Sequence, residues 1–133
     1  MSNESEIREL VERWALAVES GDLDGVIAGH TDDVVMFDVP APHAGVRGIG
    51  AYRDTWPPFF RFIDSGAVFK LDSVAITAGD DVAFAEALLV CGTEEEQAED
   101  PDRRLRLTFG FVREDDRWLI AHEHHSFAVD PPA

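Results

Sequence analysis

The chain has 133 residues, 45% of them hydrophobic, which suits one domain spanning 1–133 with a single core and is too little for two ordinary ones. Eleven Lys and Arg against 27 Asp and Glu leave a net charge of −16, a field that repels nucleic acid and anionic membranes alike. The lone cysteine, Cys91, rules out an intrachain disulfide, and no stretch resembles a secretory leader or approaches the roughly 20 apolar residues of a membrane helix, so a cytoplasmic protein is expected.

Asn3 and Glu6 read as a helix-capping pair, after which Ile7, Leu10, Val11, Trp14 and Val18 recur with helical period up to Gly21. Asp22 opens a short second helix with Leu23, Val26 and Ile27, and Thr31-Asp32-Asp33 reads as the turn that closes it. Val34 to Val39 predicts a strand; Pro40, Pro42, Gly45 and Gly48 predict a loop. Ile49, Tyr52, Trp56, Phe59, Phe60 and Ile63 then share a third helical face, which Pro57-Pro58 should interrupt just after Trp56.

From Ala67 the period changes to two. Strands are predicted over 67–77, 82–93, 104–113 and 117–127, joined by Gly79-Asp80-Asp81, by an acidic tip from Glu94 to Asp102, and by Glu114-Asp115-Asp116. Helices followed by strands predict an α+β domain: a curved antiparallel sheet whose concave side is covered by three N-terminal helices. Helices bridging a bent sheet leave its concave end unfilled, so polar residues on apolar faces mark a pocket.

Asp38 is one such exception, an acid closing the apolar run Val34-Val35-Met36-Phe37, where burial would raise its pKa toward that of a general base. In the hairpin 104–127, a turn from Glu114 to Arg117 pairs Arg113 with Trp118, Thr108 with Glu123 and Arg106 with His125. That register gathers Arg106, Thr108, Glu123 and His125 on one face, whereas a turn one residue shorter presents His122, His124 and Ser126. His125 suits acid or base work near neutrality. His122 and His124 share a face but lack an evident third ligand, so no metal is expected. Lys70, the only lysine, lies in an ordinary strand-like segment and makes a poor Schiff-base candidate. Phosphate-loop, dinucleotide-loop and nucleophile-elbow motifs are absent, and no cofactor is expected.

The segments SGDLDGVIAGHTDDVVMFDVP and DDRWLIAHEHHS resemble the nuclear transport factor 2-like, or cystatin-like, superfamily, which includes ketosteroid isomerases and SnoaL-like polyketide cyclases. The second segment is also similar to the closing strand of the calmodulin-dependent kinase association domain. The resemblance implies a cone with a pocket for a small, largely apolar molecule. It puts the family's aspartate base on Asp38 and the isomerase's two oxyanion donors on Trp14 and Thr108, weak replacements that argue against classical steroid isomerisation. The Arg106-x-Thr108 pair resembles part of a limonene epoxide hydrolase-like site. The implied site has Asp38 as base, Arg106 holding an anionic or enolic oxygen, Glu123 and His125 relaying protons, and walls from Trp14, Tyr52, Trp56, Phe59 and Phe60. An isomerase, cyclase, dehydratase or hydrolase would use these residues. The alternative is a non-catalytic binding or assembly module, and under either reading the apolar face Leu105, Leu107, Phe109 and Phe111 is expected to pair two copies into a homodimer.

Overall fold

Ser2, rather than Asn3, caps the first helix in the computed structural model, which describes residues 2–131; its hydroxyl accepts the Ser5 amide at 3.1 Å. Asn3 instead ties the start of α1 (Asn3–Ser20) to the sheet, donating to Gly79 O and accepting from Arg113 and Trp118. Gly21 ends α1 at φ 70°, a left-handed conformation that glycine adopts without strain. Asp22 caps α2 (Leu23–Ile27) by accepting the Gly25 amide.

The first strand, β1 (His30–Phe37), begins four residues before its expected start, because Thr31-Asp32-Asp33 lies within the strand rather than forming a turn. A two-residue β2 (Val46–Arg47) pairs with it at the sheet edge. The third predicted helix is two, α3 (Ile49–Asp54) and α4 (Trp56–Asp64), parted at Thr55. The two prolines follow Trp56 in the first turn of α4, where their missing N–H groups cost nothing. Strands β3 (Val68–Ala78), β4 (Val82–Gly92), β5 (Leu105–Glu114) and β6 (Arg117–Phe127) match their expected spans to within a residue or so. The acidic tip is a short helix, α5 (Glu94–Glu99), held by a capping box in which Thr93 Oγ1 accepts from Glu96 N and Glu96 Oε1 accepts from Thr93 N.

The six strands form one sheet in the order β2-β1-β6-β5-β4-β3. It is mixed rather than wholly antiparallel, since β1 runs parallel to β6. Four helices rather than three precede β3. The buried face of α1 (Ile7, Leu10, Val11, Trp14, Val18) joins one core with the inward side chains of β4 and β5. Leu105, Leu107, Phe109 and Phe111 belong to that core and are not a free face. Burying each stabilises the fold by about 1.5–3 kcal/mol, which is why they turn toward the helices. The exposed apolar side chains of β4 on the opposite face are Val82, Phe84 and Leu88. Among the described residues, no helix is long and apolar enough to cross a membrane.

Candidate functional site

An extra residue in β6 decides which side chains reach the interior. Pairing runs Arg113↔Trp118 and Phe111↔Ile120 as the expected turn requires, but then resumes at Gly110↔His122, leaving Ala121 unmatched. A bulge shifts a period-two pattern by one, so every later side chain changes face. Glu123 sits opposite Phe109 and His125 opposite Leu107, both on the core side. Thr108 and Arg106 turn outward instead, with Arg106 Nε donating to Ser126 Oγ at 3.2 Å in an exposed contact. The expected face is therefore split: Glu123 and His125 are inside, and neither Arg106 nor Thr108 reaches them. Arg106→Ala should change unfolding free energy by no more than about 0.5 kcal/mol in a urea titration; a larger loss would contradict this outward placement.

Glu123 is fully enclosed and anchors a chain of hydrogen bonds. Its Oε1 accepts from His125 Nε2 at 2.8 Å. Its Oε2 accepts from His30 Nε2 at 2.5 Å and from Tyr52 Oη at 2.7 Å, and Tyr52 Oη accepts in turn from Trp14 Nε1 at 3.0 Å. Burial alone pushes this carboxyl up, but hydrogen bonds from His125 and then His30 outweigh it and bring the pKa down to about 2. Burial, then the charge and hydrogen bond of Glu123, push the Tyr52 hydroxyl well above its ordinary range. Trp14 and, more weakly, the indole N–H of Trp56, which closes no hydrogen bond, act the other way. Tyr52 thus stays a protonated donor. Tyr52→Phe takes one donor from Glu123 and the acceptor from Trp14, so a loss of about 1–3 kcal/mol is expected on chemical unfolding; an unchanged midpoint would show that the hydroxyl contributes nothing.

His125 carries this network to a cavity of about 310 Å³. Trp56, Phe59, Phe62, Phe69, Leu105 and Phe127 wall it, and its ionisable lining groups are Asp38, His125 and Cys91. Burial pushes the Cys91 thiol up to about 11, which keeps it protonated and a poor nucleophile. Asp38, with a quarter of its side chain exposed, accepts the Val39 amide at 2.8 Å, and the same Oδ1 lies 3.5 Å from His125 Nδ1. Because Nε2–H of His125 is committed to Glu123, it is Nδ1 that faces Asp38 and the cavity. A histidine oriented by an enclosed carboxylate, with its other nitrogen beside a second carboxylate in an apolar chamber, can hand a proton to or take one from a bound molecule.

Of the expected wall residues, Trp56 and Phe59 line the chamber. Trp14 and Tyr52 stand behind it in the hydrogen-bonded chain, and Phe60 stacks on Trp56 without reaching the lining. Phe62, one helical turn after Phe59, does reach it and escaped the apolar-face pattern. His30 also escaped, because reading a turn at Thr31 left it outside the strand. His122 and His124 flank the Phe37 ring on the outer side of the sheet, His122 Nδ1 lying 2.7 Å from Val35 O. A more open groove of about 720 Å³ runs between α1, α2 and the β5–β6 turn. Its ionisable walls are surface side chains such as Glu9, Arg13 and Asp116, with none of the enclosed groups that tune proton transfer, so the smaller chamber is the candidate site.

Residues 7–130 match the sequence model of the SnoaL-like domain. A crystal structure of an NTF2-like protein of unknown function from Pseudomonas putida KT2440 is 34% identical, over 98% of this chain and 91% of that one, with a TM-score of 0.82. Two others share the fold at lower identity. A candidate scytalone dehydratase from Novosphingobium aromaticivorans is 15% identical over 95% of this chain and 84% of its own, TM-score 0.72. A candidate ketosteroid isomerase from Shewanella frigidimarina is 16% identical over 89% and 92%, TM-score 0.69. No protein of curated function matches the chain.

Proposed function

The chain belongs to the SnoaL-like domain family, and from that premise we propose that it binds a small, largely apolar carbonyl or hydroxyl compound in the Asp38–His125 chamber and transforms it by proton transfer without a cofactor. One observation carries the reading: an apolar cavity whose lining places an aspartate 3.5 Å from a histidine that an enclosed glutamate orients. A volume near the lower end of the roughly 300–1,000 Å³ usual for ligand pockets favours a one- or two-ring compound. Among the described residues no arginine or lysine lines the chamber, which favours a neutral molecule over a carboxylate or phosphate.

Elimination of water from a β-hydroxy carbonyl compound suits the pair. Asp38 takes the proton from the carbon next to the carbonyl, and the electrons of that C–H bond form the new double bond. The C–O bond to the β-hydroxyl breaks, and His125 Nδ1–H supplies the proton that lets the hydroxyl leave as water. Asp38 is then protonated and His125 neutral, and passage of the proton from Asp38 Oδ1 to Nδ1 restores both. The same exchange between carbon and oxygen would serve an isomerase or cyclase. A steroid-isomerase oxyanion hole is not supported, since Trp14 donates to Tyr52 and Thr108 faces outward.

The test is to incubate the protein in D2O with a panel of neutral cyclic ketones and β-hydroxy ketones, and to follow deuterium uptake and water loss by NMR. Exchange or dehydration that vanishes in Asp38→Asn and His125→Gln is the expected result. Compounds that bind in the chamber and are recovered unchanged and unlabelled would overturn it in favour of a non-catalytic binding module.

A further inference from the structure

Glu123 serves two histidines, and only one of them reaches the chamber. Three donors converge on this enclosed carboxylate: His125 Nε2 on one oxygen, His30 Nε2 and Tyr52 Oη on the other. With both rings neutral the cluster carries an uncompensated buried charge, which is costly; one further proton balances it. Two rings compete for that proton, and they differ in what faces their second nitrogen.

His30, on β1, has a wholly enclosed side chain. The ionisable groups that face it are Glu123 from β6 and Tyr52 from α3, whose ring lies 4.5 Å away, and both are on the Nε2 side of the hydrogen bonding. Its Nδ1 has no partner among the described residues. A proton there would be a buried N–H with no acceptor, which costs more than an idle lone pair. His125 is faced by Glu123 from its own strand, by Asp38 from the segment after β1, and by the Cys91 thiol from β4; Trp14 and Trp56 pack against its ring without charge. Glu123 accepts its Nε2–H, and the Asp38 carboxylate lies within ion-pair distance of Nδ1, at 3.5 Å, so an imidazolium here has a negative group on both sides.

We propose that His30 is a positioning residue: held as a neutral donor to Glu123, it confines the cluster's extra proton to His125. His125 is thereby the acid and Asp38 the base. That catalytic meaning rests on the function proposed above, whereas the proton assignment itself does not. His30 and Tyr52 divide the charge on Oε2, leaving Oε1 with one donor and the ring of His125 with a proton it can still release.

The experiment needs no substrate. Long-range 1H–15N correlation spectra of the 15N-labelled protein at neutral pH should give His30 one ring proton, on Nε2, and His125 two. His30→Gln, which keeps a donor where Nε2 stood, should leave the His125 signature in place. His30→Leu removes that donor, concentrates charge on Glu123, and should shift the ring 15N signals of His125 while leaving both its ring protons in place. Two ring protons on His30, a singly protonated His125, or no shift in His30→Leu would each overturn the proposal. If His30→Leu does not fold, the unmodified protein and His30→Gln decide it. A failed substrate panel with these spectra intact would remove the catalytic reading and leave the proton assignment standing.

Discussion

Acidification through the window from about 4.5 down to about 2 is expected to remove about 3 kcal/mol of stability through Glu123 alone. In the unfolded chain this carboxyl protonates at its ordinary value of 4.5, whereas in the folded protein His125 and His30 hold it ionised down to about 2. Between those values the unfolded state binds a proton that the folded state refuses. The contribution is therefore complete above the upper value and disappears as pH falls through the window. Against a typical domain stability of roughly 5–15 kcal/mol this is a large share. Acid also relieves the self-repulsion of a chain at −16, an opposing trend that involves many carboxylates. Comparison with Glu123→Gln separates the two. That variant should be less stable at neutral pH by about 3–5 kcal/mol, because an amide cannot accept from three donors and turns its own N–H toward one of them. The gap between variant and parent should shrink by about 2 kcal/mol in urea titrations taken from neutrality down to pH 3. A gap that does not change with pH would mean that Glu123 is not held ionised by its neighbours.

Asp38→Asn should lower turnover by about 10²–10⁴-fold, the usual worth of a positioned general base. The fold should survive it. Asp38 is at the chamber rim rather than inside the enclosed network, and an asparagine Oδ1 still accepts the Val39 amide that fixes the side chain. Binding of a neutral ligand should persist too, because the aromatic walls are untouched. Turnover measured by single-turnover NMR alongside ligand affinity separates the effects: lost turnover with retained affinity supports Asp38 as the base, and retained turnover would shift that role to His125.

Much of the scaffold was legible in the sequence, because helix α1 and strands β4 and β5 are written in unbroken apolar periods. The register of the last hairpin was not. Its turn at Glu114 to Arg117 predicts the pairing of Arg113 with Trp118 correctly, and the bulge at Ala121 then overturns everything downstream. Leu119-Ile120-Ala121 is apolar throughout, so it hides the point at which the alternation slips. The bulge left Asp38, Glu123 and His125 in one site and put Arg106 and Thr108 outside it. Its trace is that the inward positions are Trp118 and Ile120, then Glu123 and His125, an even series followed by an odd one. His30 was obscured for a different reason: Asp32 and Asp33 are exposed within β1, where the pairing with β6 is irregular, and two consecutive acids look like a turn. Trp14 and Tyr52, expected as walls, lie one layer behind the chamber, since aromatic periodicity does not tell a wall from the support behind it.

The strand order also governs how the chain can come off a ribosome. The last strand to be synthesised, β6, lies between the first, β1, and its hairpin partner β5. Until residue 127 has emerged, β1 has only the two-residue β2 beside it, and the β3-β4-β5 meander has an open inner edge. Pairing across the whole length of the sequence is slow to find, and the exposed edges meanwhile invite contact with other chains. Closure of the sheet should therefore wait for β6, and ribosome-bound chains stalled before β6 should remain sensitive to protease throughout.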